Sequence, residues 1–293
     1  MNYGCQSMVA PMTGVLLKKP ADAFRSQKFL NEQYGHYGYI DCPDFEKVRE
    51  EFAGFEKILK ENTAHVYYLP FDEGAGLDSI YTHDPVKITK KGAVYMNMGK
   101  QARRGEPAAT KAYLESIGIP TLGAIQGEGR MEGGDVVWMD ERTVAIGRGY
   151  RTNAEGIRQF REILGDLIDE VITVPIPHGE GPDACLHLMS VLSLVDKDLA
   201  VVYSKYMPVF FREYLIDKGI ELIETDDAEY DYLGTNVLAL GGRKCIVLSG
   251  APKVKHALER AGATVFEYPG RHLSYFGTGG PTCLTCPITR ETE

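Results

Sequence analysis

The chain has no apolar run of the roughly 18 residues needed to span a bilayer, and its N-terminus shows no basic segment followed by an apolar core and a cleavage site. A cytoplasmic protein without a membrane partner is expected. Positive charge is also short: 32 Lys and Arg face 41 Asp and Glu, a formal net charge of -9. Phosphate-backbone binding needs clustered basic residues, so this balance argues against nucleic acid. The 293 residues contain no low-complexity tract and no Pro- or Ser-rich linker, which reads as one compact domain over 1–293. No Gly-x-x-x-x-Gly-Lys-Ser/Thr pattern occurs, so the glycines do not mark a phosphate loop. Cysteine is sparse and scattered, at 5, 42, 185, 245, 283 and 286, and reduced thiols are the default for such a long chain. Cys283 and Cys286 form a Cys-x-x-Cys with no second copy, and a redox or zinc reading of the pair is set aside.

What is present is a repeating order of elements. Pro43 to Thr63 places Phe45, Val48, Phe52, Phe55, Ile58 and Leu59 at helical spacing, between strand-like segments Met8–Pro20 and His65–Pro70. Strands are predicted at Asp78–Ile88 and Ala93–Met98, a helix at Pro107–Ile117 and a strand at Thr121–Ile125. The pattern recurs through Asp135–Ile176, Leu186–Glu224 and Asn236–Tyr268. The first unit is one strand short, and one strand, the one expected to carry Cys283, is left over at the end. Pairing the two would close a ring and remove exposed sheet edges. The predicted fold class is α/β, a five-bladed α/β propeller of pseudo-symmetric ββαβ units; a doubly wound open sheet is the competing reading.

In such a ring the first strand of each unit opens onto one axis. The polar residues there are Asp78 and Asp84, Glu132 and Asp135, His187, Asn236 and Cys283. Cys283 follows Gly-Thr-Gly-Gly-Pro-Thr; the ordinary alternative is a buried structural thiol, but a glycine-rich approach favours close contact with a ligand. As a nucleophile it needs a cationic neighbour or a cationic substrate to form its thiolate. His187, in an otherwise apolar segment, is either a satisfied core residue or the proton carrier for that cysteine. Glu132 and Asp135 flank Gly133-Gly134 ahead of an apolar strand. Asp78 and Asp84, six apart, would face one way on a strand and hold a cation between them. Arg103 and Arg104, with Arg148 and Arg151, are surface charges on the bland reading and a carboxylate clamp on the other.

Taken together, Leu77-Asp78-Ser79-x4-Asp84, Arg103-Arg104-Gly105-Glu106, Glu132-Gly133-Gly134-Asp135, Arg151-Thr152-Asn153-Ala154-Glu155-Gly156, His187-Leu188 and Gly279-Gly280-Pro281-Thr282-Cys283 resemble the guanidino-group-modifying superfamily of dimethylarginine dimethylaminohydrolases, arginine deiminases and amidinotransferases. The resemblance spans residues 8 to 290. It implies a five-bladed α/β propeller and a cysteine mechanism with no metal and no organic cofactor. Cys283 would attack the guanidinium carbon, His187 would protonate the leaving amine, and Glu132 would orient His187 or hold the guanidinium. Asp84 would bind guanidinium nitrogens, Asp78 the substrate's α-amino end, and Arg103 with Arg151 its carboxylate; Leu77 and Asp135 complete the expected substrate-binding set. Met189 stands where deiminases carry a second carboxylate and Thr278 where their clamp has an arginine. Both departures lean toward the dimethylarginine branch, whereas His83, at a position usually acidic there, leans away.

The expected activity is hydrolysis of arginine or an N-substituted arginine to citrulline plus an amine or ammonia, through a thiouronium on Cys283. The alternatives are an amidinotransferase and an arginine deiminase or dihydrolase. A metallohydrolase using His187, Glu132, Asp84 and Cys283 is the rival from another class, although no two of these ligands are closely spaced. An amino-acid-binding propeller with a structural Cys283 is the non-enzymatic one. The expected partner is a small guanidino substrate, with a homodimer left open.

Overall fold

In the computed structural model, which describes residues 2–182 and 184–291, fifteen strands form five separate three-stranded sheets. Blade one comprises β1 (Met12–Lys18), β2 (His65–Leu69) and the last strand, β15 (Cys286–Arg290). Blade two is β3 (Val86–Thr89), β4 (Gly92–Tyr95) and β5 (Thr121–Ala124), and blade three is β6 (Val136–Trp138), β7 (Thr143–Arg148) and β8 (Glu170–Pro175). Blade four is β9 (Leu192–Asp196), β10 (Leu199–Val202) and β11 (Glu221–Glu224). Blade five is β12 (Leu238–Gly241), β13 (Lys244–Leu248) and β14 (Thr264–Tyr268).

Each blade repeats one pairing scheme. The inner strand runs antiparallel to the middle one, and the middle one parallel to the outer, as in Val86↔Tyr95 and then Val94↔Gly123. A parallel pair requires a crossover, and every blade supplies it with a helix, from Phe45–Asn62 in blade one to Pro252–Arg260 in blade five. In the first of these helices Val48, Phe52, Phe55 and Leu59 are buried, one stripe at spacings of four, three and four, and the Asp44 side chain caps the start by accepting from Lys47 N at 3.0 Å. Burial grades across each blade: inner β3, β6 and β12 are wholly buried, whereas outer β5 and β11 keep exposed positions.

The ring closes as the strand count required. β15 pairs antiparallel with β1 through Leu16↔Cys286 and Val15↔Pro287, so the C-terminal strand becomes the inner strand of the N-terminal blade. The expected starts of the inner strands need correction. Leu77–Ile80 is a single 3-10 turn followed by further turns, and β3 begins only at Val86, so Asp78 and Asp84 do not share a strand face. His187 precedes a short helix, Leu188–Val191, rather than lying in a strand, and Cys283 sits in a turn ahead of β15. The reason is common to all of them: inner strands are packed in the core, where each polar side chain needs a protein partner, so the polar residues of the site collect in the turns that lead into those strands.

Candidate active site

Those lead-in turns converge on one cavity of about 530 Å³, which Cys283, His187, Asp84 and Asn236 all line. On one side it is covered by Tyr37, Gly38 and Ile40, from the excursion between β1 and the first crossover helix. Four blades therefore contribute to the site, and Asp84, His187, Asn236 and Cys283 are each more than forty positions apart.

Glu132 is fully buried, and its carboxylate is the hub. Oε2 accepts from His187 Nε2 at 2.7 Å and from Arg151 Nη1 at 2.9 Å, while Oε1 accepts from the Lys100 backbone N–H at 2.9 Å. Burial would raise this carboxyl, but the His187 bond and the Arg151 charge outweigh it and hold Glu132 below the usual range. With Nε2 committed to Glu132, the nitrogen of His187 left for chemistry is Nδ1, which lies 4.0 Å from Asp84 Oδ1. The His187 main chain is pinned on both sides: its own N–H donates to Ser190 Oγ at 3.0 Å, and the next N–H, of Leu188, donates to Asp135 Oδ1 at 2.9 Å. Burial alone would lower the imidazole, yet the charges of Cys185, Asp84 and Asp135 prevail and hold His187 well above its ordinary value.

Asp84 is almost completely buried, and its carboxylate accepts from Gly134 N at 2.8 Å and from Arg103 Nη1 at 2.6 Å. Burial opposes ionisation here too, but Arg103 and His187 keep the group a carboxylate. Gly134 is required at that point, because a Cβ would lie 2.3 Å from His187 Nδ1 and 3.0 Å from Asp84 Oδ1. The glycine pair thus folds around the His187 and Asp84 side chains, whereas the sequence suggested folding around a ligand.

Cys283 Sγ accepts from Asn236 Nδ2 at 3.3 Å, and Asn236 Oδ1 in turn holds Thr282 N at 3.0 Å. Burial, with the Asp84 charge beside it, pushes the Cys283 thiol up to about 12, so the resting group is a neutral thiol. A second thiol, Cys185, also lines the cavity and is exposed at its mouth. Its Sγ is 3.7 Å from His187 Nδ1, and although desolvation pulls the other way, His187 and Arg151 lower its pKa.

Three expected substrate contacts are placed differently. Leu77 is buried in the core of blade one, packed with Phe24 and Leu284 rather than in the cavity. Asp135 does not line the cavity; its oxygens are taken by Leu188 N and by Thr152 Oγ1 at 2.6 Å, which makes it the anchor of the His187 turn. Arg103 borders the cavity but is spent internally: it binds Glu106 through Nε at 3.0 Å and Nη2 at 2.9 Å, Asp84 through Nη1, and the Tyr81 carbonyl through Nη2 at 3.0 Å. Asp78 and Arg151 remain at the cavity wall. His83 is buried and neutral: burial and the neighbouring Lys87 lower it to about 3, with Nδ1 on the Thr285 carbonyl and Nε2 accepting from Lys87 Nζ at 2.6 Å.

Among the cavity residues that the sequence did not single out are Cys185 and Lys100. Cys185 lies two positions before His187, and Lys100 three before Arg103, so proximity to recognised motifs was the only signal. Lys100 Nζ donates to Asp78 Oδ2 and to the Tyr37 carbonyl, both at 2.6 Å.

Asp84, Glu132 and His187 each offer a ligand atom within 4.8 Å of the others, closer than the sequence suggested for a metal centre. Their charge is already matched, since Arg103 neutralises Asp84 while Arg151 and His187 face Glu132. A divalent ion would enter against two buried guanidinium groups, so the donor set does not fit one.

Comparison with known proteins places this arrangement. A family model described as N,N-dimethylarginine dimethylhydrolase, eukaryotic, matches residues 43–290. An uncharacterized protein of Bacillus subtilis, YkgA, is 27% identical over 98% of this chain and 95% of its own. A dimethylarginine dimethylaminohydrolase structure from Pseudomonas aeruginosa, a cysteine-to-serine variant with citrulline, superposes with a TM-score of 0.74 at 22% identity, covering 94% of this chain and 98% of that one. The N-terminal domain of ArgZ, a cyanobacterial arginine dihydrolase bound to product, reaches a TM-score of 0.79 at 20% identity over 94% and 97%.

Proposed function

The chain belongs to the dimethylarginine dimethylaminohydrolase family, hydrolases of guanidino carbon–nitrogen bonds, and from that premise we propose that it hydrolyses arginine or an N-substituted arginine through a covalent intermediate on Cys283. The observation that carries this reading is the convergence of Cys283, His187 and Asp84 from three blades on one cavity.

The site's charges suit a cationic substrate. Asp84 is a buried carboxylate at the cavity floor and accepts guanidinium N–H groups. A guanidinium docked between Asp84 and the sulfur offsets the negative charge that pushes Cys283 up, so the thiol releases its proton to solvent water only when substrate is present. Sγ then forms a bond to the guanidinium carbon. His187, already protonated, delivers its Nδ1 proton to the leaving nitrogen as that C–N bond breaks, which leaves a thiouronium on Cys283. Neutral His187 next takes one proton from water as the oxygen adds to the same carbon, and cleavage of the C–S bond, with the remaining O–H proton passing to sulfur, releases the ureide and restores the Cys283 thiol and the His187 imidazolium. Glu132 fixes the tautomer and stabilises the imidazolium throughout. Met189, buried against the cavity, presents thioether and methylenes where a carboxylate would grip an unsubstituted nitrogen, which supports substrates alkylated there.

Intact-mass spectrometry after brief incubation with a panel of guanidines tests nucleophile and substrate together. The expected result is an adduct that maps to Cys283, with ureide formed in the absence of any acceptor amine. Full activity in Cys283→Ala, or product only when an amine is supplied, would overturn the reading. Activity is expected to survive chelator and to fall with iodoacetamide.

A further inference from the structure

The cation that meets the substrate's far end is not the one the arginine motif suggested. Arg103 has given Nε, Nη1 and Nη2 to Glu106, Asp84 and the Tyr81 carbonyl. Lys100 stands nearby with a different disposition. Its ammonium donates to Asp78 Oδ2 and to the Tyr37 carbonyl, sits 5.5 Å from the Tyr37 ring centroid, and keeps a side chain 24% exposed on the cavity wall. An ammonium has three N–H donors, so one is left over for a ligand. Lys100 is also held in place from its main chain, through Glu132 Oε1, the same carboxylate whose other oxygen holds Arg151. Both cations line the cavity.

Asp78 is correspondingly changed. Its carboxylate is nearly buried, bonded to Lys100, with Arg103 Nε a further 4.0 Å away. A substrate α-ammonium that approached Asp78 would share one carboxylate with the Lys100 ammonium already bound to Oδ2, and two like charges on one carboxylate repel. A carboxylate, by contrast, would find the spare Lys100 donor and the Arg151 guanidinium.

We propose that Lys100 is the specificity-determining residue for the substrate's tail: it binds a carboxylate, while Asp78 holds Lys100 and makes no essential contact with an α-ammonium. The substrate class is a guanidino acid for which the α-amine is dispensable. This inference rests on the guanidine-hydrolase reading above.

Calorimetric binding to the Cys283→Ala protein, which needs no turnover, tests it with arginine, its deaminated analogue and its decarboxylated analogue. The deaminated analogue is expected to bind within about fivefold of arginine, as for an ammonium without a buried partner. Its decarboxylated counterpart should bind roughly tenfold to a hundredfold more weakly, the usual range for one charge-assisted contact. Adding Lys100→Met should abolish that discrimination and, by freeing Asp78, tighten the decarboxylated analogue; Lys100→Arg should restore the preference. Thermal melts of each variant show whether it is folded. Equal weakening of all three ligands by Lys100→Met would reduce Lys100 to a brace and overturn the proposal, as would a deaminated analogue that binds as poorly as the decarboxylated one. Ureide formation by the unmodified enzyme is scored separately: its absence with every guanidine sinks the hydrolase reading while the binding pattern still decides Lys100, and no binding by any of the three sinks both.

Discussion

Cys185 and Cys283 share a cavity and differ in electrostatics. Cys283 is pushed up to about 12 by burial and Asp84, whereas His187 and Arg151 lower Cys185, which is the more exposed. Thiolate fraction governs alkylation, so in the ligand-free enzyme near pH 7 iodoacetamide should label Cys185 before Cys283. Peptide mapping of a time course checks this; first labelling at Cys283 would mean that its sulfur is a thiolate at rest. Glu132→Gln keeps the shape but loses the charge that stabilises imidazolium, and kcat is expected to fall about a hundredfold to ten-thousandfold with KM changed far less. That Cys283 and His187 belong to one site was legible at this scale because a cysteine after glycines and a histidine among apolar residues stand out against their surroundings. The roles of Arg103, Asp135 and Leu77 were not, since a side chain's partners are set by three-dimensional packing: Arg103 finds Asp84, nineteen positions away, and Asp135 finds Leu188, fifty-three away.

At the scale of the element, the residues of the proposed chemistry reside in turns and stability in the strands and helices behind them. Gly134 illustrates the division. In Gly134→Ala the new methyl must displace His187 or Asp84, and a shift of about 1 Å at a reacting group commonly costs a hundredfold in rate, so kcat should fall by about that factor while overpacking destabilises by about 1–3 kcal/mol. Gly54, in the first crossover helix with nothing within 4 Å of an added Cβ, is the control: Gly54→Ala should stabilise by about 1 kcal/mol and leave kcat unchanged. Urea titrations and steady-state rates on both variants separate the effects. Apolar periodicity placed the helices and middle strands well, because it reports the burial that forms them. It overran the inner strands, where Asp78–Ile88 and Leu186–Leu194 read as continuous although turns and a short helix occupy their first halves. Leu186–Val191 is as apolar as the strand that follows it, so hydrophobicity alone cannot mark that boundary, whereas the turns of Asp78–Pro85 are marked by their polar residues and Pro85.

For the whole molecule, the ring brings chain ends and active site together. Arg290, on β15, donates through Nη1 to the Ala10 carbonyl at 2.6 Å and through Nη2 to the Ala239 carbonyl at 2.7 Å, and so fastens blade one to blade five just beyond the Cys283 turn. Arg290→Ala leaves two carbonyls without these donors and should cost about 3 kcal/mol in a urea titration. Closure was legible from the unit count alone, since an odd strand at each end of the chain can be satisfied only by pairing them.

The buried carboxyls also give the fold a pH signature. Asp84 and Glu132 are held below their ordinary values, so their contribution is present above about pH 4 and is lost as pH falls through their folded pKa values. Asp135 runs the other way. Burial raises it to about 6, so between roughly pH 4 and 6 the folded state binds more protons than the unfolded one, and stability declines as pH rises through that window. These opposed slopes place the maximum for this cluster near pH 4 to 5, on the acid side of neutrality. Glu106, which burial raises to about 7, adds a decline of the same sign, so in Asp135→Asn the falling limb between pH 4 and 6 should become shallower while the acid limb stays, as read from melting temperature against pH. A falling limb of unchanged slope in Asp135→Asn would leave Asp135 ionised in the folded protein as the ordinary partner of Thr152 and Leu188.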